Sequence, residues 1–208
     1  MSRLLVVGAG GHGAVVAEAA NESGHWSEIG FLDDDESLGA VLDFPVVGTT
    51  GMMSSLANED TELFVAIGDN RHRLELCEEV IRSGLRLATV VHPDAIVSRS
   101  ATISGGTVVC AGAIVNARTH VGLACIINTG ATIDHDCKLE DGVHVSPGAN
   151  LAGGVHVGKC AWIGVGAAVR EGTTIGRHTV VGAGSAVVCD IGDALTVGGV
   201  PAKVLTKQ

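Results

Sequence analysis

Val121-Gly-Leu-Ala-Cys-Ile-Ile127-Asn-Thr-Gly-Ala-Thr-Ile133-Asp-His-Asp-Cys-Lys-Leu139-Glu-Asp-Gly-Val-His-Val145-Ser-Pro-Gly-Ala-Asn-Leu151 places an aliphatic residue at every sixth position. The series runs unbroken from Val97 through Ile103, Val109 and Val115 to this stretch, and on through Val157, Ile163, Val169, Ile175 and Val181 to Val187. A period of six is neither the helical repeat nor the two-residue alternation of a single strand. It marks a parallel β-helix whose coils stack one column of aliphatic side chains. Two residues before each aliphatic position stands a small or β-branched residue, such as Cys125, Ala131, Cys137, Val143 and Ala149. Strand positions two apart share a face, so both point into the coil. With three hexapeptides to a triangular turn, the stretch holds about five coils.

Composition agrees with a narrow interior: there is no Tyr, aromatics make up 2%, and 30 of 208 residues are Gly. Gly122, Gly158, Gly164, Gly176 and Gly182 follow the aliphatic residue directly, while Gly106, Gly112, Gly130, Gly142, Gly148, Gly154, Gly166, Gly172 and Gly184 fall three after it. Tight corners call for backbone angles that Gly adopts cheaply. The net charge of −10 with 13 Lys and Arg argues against nucleic-acid and anionic-membrane surfaces. A phosphate-bearing ligand must then be held by backbone amides and a few local cations. Six scattered Cys form no CxxC pair, and Cys125 and Cys137 fall at inward positions. The start of the chain shows no signal-peptide pattern and no apolar run long enough to span a bilayer, so the expectation is a cytoplasmic protein without membrane insertion.

The first ninety residues read differently. Arg3 to Gly8 is a short apolar strand, Gly8-Ala-Gly10-Gly11-His12-Gly13 a Gly-rich turn, and Ala14 to Ala20 a helix. Strand, turn and helix make the phosphate-binding half of a doubly wound fold. Phe31-Leu-Asp33-Asp34 closes a second strand, Leu63 to Asn70 reads as a strand ending in a turn at Gly68, and Arg71 to Ser83 as a helix. Leu87 to Val91 is expected as a last strand leading through His92-Pro93 into the solenoid. The three turns lie at the carboxyl ends of parallel strands, where open α/β sheets bind ligands. Only one mononucleotide-sized unit fits before Pro93, which suits a nucleotide-linked sugar better than a dinucleotide. The fold class expected is thus an α/β Rossmann-like domain over residues 1–92, followed by a parallel β-helix of hexapeptide repeats over residues 93–208.

The coil period sorts the solenoid histidines by face. His120 and His156 share one, and His144 belongs to its neighbour. No spacing brings three of them to one ion, and no metal site is expected. His135 differs because Asp134 and Asp136 flank it. Strict alternation would point it inward, so a corner is its expected place. A carboxylate on one ring nitrogen fixes the tautomer and raises the basicity of the other, which makes a general base. The competing reading is a residue that caps a turn.

Together these segments, with Asn128, His144-Val-Ser-Pro-Gly148 and Gly198-Gly-Val-Pro-Ala-Lys203, resemble the hexapeptide-repeat sugar acyltransferases. The branch is the NeuD- and PglD-like one, which contains sialic acid O-acetyltransferases and nucleotide-aminosugar N-acetyltransferases. The resemblance covers essentially the whole chain. It implies a left-handed coil, a homotrimer with active sites between subunits, and acetyl-CoA as cosubstrate along a solenoid groove. In the family pattern His135 matches the catalytic base and Asp136 the acid that tunes it, a position often held by Glu. His144 matches a residue near the thioester carbonyl. Gly153, Val165 and Ala183 match backbone positions along the CoA arm, with Gly common in the family where Ala183 stands. Gly10, Gly11, His12, Asp33, Asp34 and Gly68 match the nucleotide-sugar pocket. The implied reaction is acetylation of an amine on a UDP- or GDP-linked amino-deoxysugar. Sialic acid O-acetylation and a non-catalytic trimeric binding subunit are the alternatives.

Overall fold

A computed structural model describes residues 2–35, 37–56 and 58–205. The N-terminal part is a sheet of β1 (Arg3–Val7), β2 (Glu28–Leu32), β3 (Ala40–Val41), β4 (Phe44–Gly48), β5 (Thr61–Val65) and β6 (Arg86–Leu87), in the order β3-β4-β2-β1-β5-β6. The pairings are parallel except β3 with β4. Helix α1 (Gly11–Ser23) follows the Gly-rich turn, α2 (Met53–Leu56) is a single turn, and α3 (Asn70–Arg82) follows β5. A Cβ on Gly13 would fall on the Gly8 carbonyl and press on the Phe31 ring, so this glycine lets α1 lie against the sheet. Asp69 caps α3, its Oδ1 accepting from His72 N at 2.8 Å.

From Val90 to Val187, two-residue strands form three parallel sheets. Face one contains Val90–Val91, Val108–Val109, Ile126–Ile127, His144–Val145, Trp162–Ile163 and Val180–Val181. Face two contains Ile96–Val97, Ile114–Val115, Thr132–Ile133, Asn150–Leu151, Ala168–Val169 and Ala186–Val187. Face three runs from Thr102–Ile103 through His120–Val121, Lys138–Leu139 and His156–Val157 to Thr174–Ile175. The architecture is a Rossmann-like sheet followed by a parallel β-helix. The aliphatic column and its small inward neighbours make one continuous buried core. Inward hydroxyls and thiols bond the next coil: Thr119 Oγ1 donates to Asp134 O at 2.7 Å, and Cys137 Sγ to Ala152 O at 3.2 Å.

Two expectations change. The run Leu87 to Val91 is not one strand. Its start ends the N-terminal sheet, beside β5, and Val90–Val91 opens face one of the solenoid. The glycines also fall into two physical classes. Those three after the aliphatic residue sit at corners with φ of 63–71°, the left-handed region. Those directly after it are needed for close approach: a Cβ on Gly158 would lie 2.6 Å from Arg177 N in the next coil.

Face one lies under the N-terminal part, where Val90, Val108 and Ile126 share a buried cluster with Val16, Ala17 and Ala20 of α1. Arg73 of α3 locks the junction and is 0% exposed. Its Nε donates to Ala124 O at 2.8 Å and its Nη2 to Gly142 O at 3.0 Å and Asn70 Oδ1 at 2.9 Å. Nη1 reaches back to Ile67 O at 2.9 Å and Gly68 O at 3.3 Å. One guanidinium thus ties the turn after β5 to corners of two successive coils.

Candidate active site

His135 sits at the corner between faces two and three, with Asp136 next to it in a left-handed conformation, φ 59°. The turn is anchored from below by Thr119, which bonds Asp134 O and accepts from Cys137 N at 3.3 Å. Asp134 Oδ1 accepts from His135 N at 2.8 Å and from Asn116 Nδ2 at 3.1 Å. With the backbone held, the imidazole stands exposed at the corner, and Nδ1 meets Asp136 Oδ2 at 2.7 Å. Arg118, one coil earlier, grips the same carboxylate with both arms, Nε to Oδ1 at 2.6 Å and Nη2 to Oδ2 at 2.8 Å. Arg118, then His135, holds the Asp136 carboxyl well below the usual carboxylate range, so it is an anion that only accepts. Nδ1 must therefore carry the proton it shares with Asp136, which leaves the Nε2 lone pair free in the neutral ring. The ring lies over Gly153 of the next coil, where a Cβ would come within 2.8 Å of Nε2.

Gly153 stacks on the His135 corner, whereas Val165 and Ala183 stack on the corner at the other edge of face two, joined by Gly184 N donating to Val165 O at 2.8 Å. Between the two edges runs a surface groove of about 420 Å³, lined by Asn116, Thr132, Asp134, Asn150 and Ala168 among others. A long, thin ligand lying in it would have His135 on one side.

His144 lies elsewhere, on face one, across the coil from the His135 corner. The two are not brought together within one chain. Its ring stacks on Trp162, with centroids 5.2 Å apart. Burial first, then the charge of Arg73 and the nearby His12, pushes its pKa down to about 3, so the ring is neutral. Asn128 Oδ1 accepts from Thr129 N at 2.8 Å, which turns its Nδ2 toward His144 Nε2 at 3.2 Å. Nε2 is thus the acceptor and Nδ1 carries the proton, buried and without a partner among the described residues. His12, at the start of α1, is pushed down to about 4 by burial and then by Arg73, and its Nε2 is likewise buried without a partner.

The other N-terminal candidates divide. Gly10, Gly11 and Gly68 border open space, where an added Cβ would meet nothing within 4 Å. Helix α1 begins at Gly11 with no side chain capping it, so its first amides are free for an anion. Asp33 and Asp34, by contrast, are already engaged in holding loops. Asp33 accepts from Ala9 N at 2.7 Å and Asp35 N at 2.9 Å. Asp34 holds Thr50 N at 2.9 Å and its hydroxyl at 2.8 Å. Asp33 also lines a cavity of about 300 Å³ with Leu38, Val47, Gly48 and Met52, beside the Gly-rich turn. Sequence reading did not single out Arg118, Arg73 or Trp162. Arg118 alone carried a signal, since it stands one coil of eighteen residues before Asp136.

A Rossmann-like domain docked on a hexapeptide β-helix, with a histidine–aspartate pair on an open corner, defines a β-helical acyltransferase. Residues 3–80 match the family model of the PglD N-terminal domain. The acetyltransferase domain of PglB from Neisseria gonorrhoeae FA1090, solved with acetyl coenzyme A, is 48% identical, with 98% of each chain covered and a TM-score of 0.95. PerB from Caulobacter crescentus, solved with CoA and GDP-perosamine, is 42% identical over 99% of this chain and 98% of that one, with a TM-score of 0.93. The UDP-N-acetylbacillosamine N-acetyltransferase of Bacillus subtilis (strain 168) is 38% identical over 113 residues, which span 53% of this chain and 52% of that relative. The chain therefore belongs to the family of PglB- and PerB-type acetyltransferases. Among the described residues no group of His, Cys, Asp and Glu is arranged to hold a metal ion, and no helix is long and apolar enough to cross a membrane.

Proposed function

We propose that this protein transfers the acetyl group of acetyl-CoA to the amine of a UDP- or GDP-linked amino-deoxysugar, as a step in making a bacterial surface glycan or glycoprotein. The observation that carries the reading is the His135–Asp136 pair, with Nδ1 held by the carboxylate and the exposed imidazole next to Asp134, which lines the groove. The amine nitrogen attacks the thioester carbonyl, Nε2 takes the proton the nitrogen sheds, and the C–S bond breaks to release CoA. Asp136 keeps the proton on Nδ1 and balances the imidazolium as it forms. The Gly153 backbone beside Nε2 is suited to meet the carbonyl oxygen as charge develops there. Val165 and Ala183 line the cosubstrate along the far edge of the groove. The N-terminal domain holds the nucleotide sugar at Gly10, Gly11, His12 and Gly68, with Asp33 and Asp34 shaping the pocket; the solenoid, which Val90–Val91 opens, carries the chemistry. Relatives solved or named with acetyl-CoA, GDP-perosamine and UDP-N-acetylbacillosamine support an amine acceptor on a nucleotide sugar.

The reading includes a homotrimer. His135 and the His12–His144 region lie on opposite sides of one coil, so a site using both draws them from two subunits. It also includes a cytoplasmic location, supported by six free cysteines, five of them buried. Burial pushes the Cys77, Cys110 and Cys125 thiols up to about 12, which makes them poor nucleophiles and favours direct transfer. The test is release of CoA thiol against UDP- and GDP-linked 4-amino-deoxysugars, sialic acid and CMP-sialic acid. Turnover on an aminosugar nucleotide is expected. Turnover confined to the sialic acids would replace the reading with O-acetylation, and ligand binding without thiol release would replace it with a binding subunit.

A further inference from the structure

Arg118 makes a two-armed ion pair on the solenoid surface, bonding both oxygens of Asp136. It occupies the corner position one coil below Asp136, in the same left-handed conformation, φ 59° in both. Its backbone N–H donates to Ser100 Oγ at 3.2 Å, and its fork closes on both Asp136 oxygens. The side chains are 65% and 43% exposed, and ion pairs of that kind add little to stability. The geometry gives the pair another use. A lone aspartate can turn its carboxylate about the bond to Cβ, and only some orientations aim an oxygen at Nδ1. A bidentate guanidinium fixes the carboxylate plane. Here that plane directs Oδ2 at Nδ1 at 2.7 Å, while the same oxygen keeps its bond to Nη2.

We propose that Arg118 is a positioning residue for His135: it clamps Asp136 so that the short carboxylate meets Nδ1, and its charge offsets that of Asp136 beside the ring. The proposal rests on His135 acting as the base. The groups that face the imidazole are few. Its own turn supplies Asp134 and Asp136, the coil below supplies Arg118 and Asn116, and the coil above presents the Gly153 backbone. Asp134 is directed at the His135 N–H and at Asn116, so Arg118 is the cation that balances the carboxylate at Nδ1. Removing it frees Asp136 to turn and leaves that negative charge uncompensated. The first effect slows the reaction. The second favours protonation of the base and moves the acid limb of kcat/KM upward.

The test is steady-state kinetics across pH for Arg118→Ala and Arg118→Lys, with acetyl-CoA and the best aminosugar nucleotide. For Arg118→Ala, kcat falls about 5- to 20-fold while both KM values stay within about twofold. Its acid limb rises by a few tenths of a pH unit, the scale of removing one exposed unit charge that lies across a shared carboxylate from the ring. Arg118→Lys keeps the charge without the fork, so kcat falls while the limb stays in place. In an Asp136→Asn background, where no carboxylate is left to clamp, Arg118→Ala costs no further kcat, while the charge effect on the acid limb persists. Wild-type kcat and profile in Arg118→Ala would overturn the assignment. So would an equal loss in both backgrounds, or a loss accompanied only by a lower melting temperature. His135→Ala run in parallel separates the two claims: if it turns over normally, the base reading falls first and this one with it.

Discussion

Replacing Gly153 with Ala should disable the enzyme without unfolding it. Gly153 has no left-handed φ, so Ala fits its backbone, and the conflict is with one side chain. The new Cβ would lie 2.7 Å from His135 Cε1, 2.8 Å from Nε2 and 3.2 Å from Nδ1, where ordinary contact begins at 3.4 Å. The ring must move from 2.7 Å to at least 3.4 Å, a shift of about 0.7 Å, and the exposed imidazole can do so at little cost to the fold. Both ring nitrogens would leave their places together. Displacements of about 1 Å at a reacting group cost on the order of 10²-fold, so kcat should fall about 10- to 100-fold. The assay is thiol release at saturating acetyl-CoA, with CoA binding and the melting temperature measured on the same protein. Both of the latter should stay near wild type. In a His135→Ala background, where no ring is left to collide, Gly153→Ala should add nothing. Wild-type kcat in the single variant, or an equal loss in both backgrounds, would refute the reasoning.

Asp136→Asn should lower kcat by about 10²-fold or more, because an amide neither holds the Nδ1 proton nor balances the imidazolium; a loss under threefold would count against the pair. Arg73→Met strips a donor from Ala124 O, Gly142 O and Asn70 Oδ1, at about 1 kcal/mol or more each, partly offset because the guanidinium no longer has to be desolvated. The urea midpoint of the first unfolding transition should drop by the equivalent of about 2–3 kcal/mol, and an unchanged midpoint would dismiss the clamp. Acid should destabilise the fold through His12 and His144, whose folded pKa values of about 4 and about 3 lie below the ordinary 6.5. Between those limits the unfolded chain binds protons that the native one does not, so stability falls as pH drops from about 6.5, by up to about 1.4 kcal/mol per pH unit for each histidine. His144→Gln should flatten the dependence; a slope unaltered by the change would show that His144 is not buried neutral.

The solenoid was legible because one constraint repeats in every coil. An inward aliphatic residue every six positions can be satisfied only by stacking, and Val109 through Val187 lie in the buried column the count implies. The corner place of His135 was legible for a related reason, since regular alternation would have driven a charged-flanked imidazole into a column of valines. What escaped reading depended on contacts between distant parts of the chain. Arg73 sits in Asn70-Arg-His-Arg-Leu-Glu75, a stretch that reads as a solvated helix start, and it is buried only because the corners of two coils close over it. Asp33 reads from its place at the end of a strand as a pocket residue, but that its oxygens hold Ala9 N and Asp35 N is a contact the sequence cannot reveal. The split of Leu87 to Val91 escaped too, because apolar character is the same whether a strand joins the sheet or the first coil.

The most direct measurement is kcat of His135→Ala for acetyl transfer to the preferred aminosugar nucleotide, with acetyl-CoA binding measured alongside. With the Nε2 base removed and the groove intact, kcat should drop by about 10²- to 10⁴-fold while the Kd for acetyl-CoA stays within about threefold. A variant that turns over at the wild-type rate, or one that fails only because it no longer binds acetyl-CoA, would contradict the account.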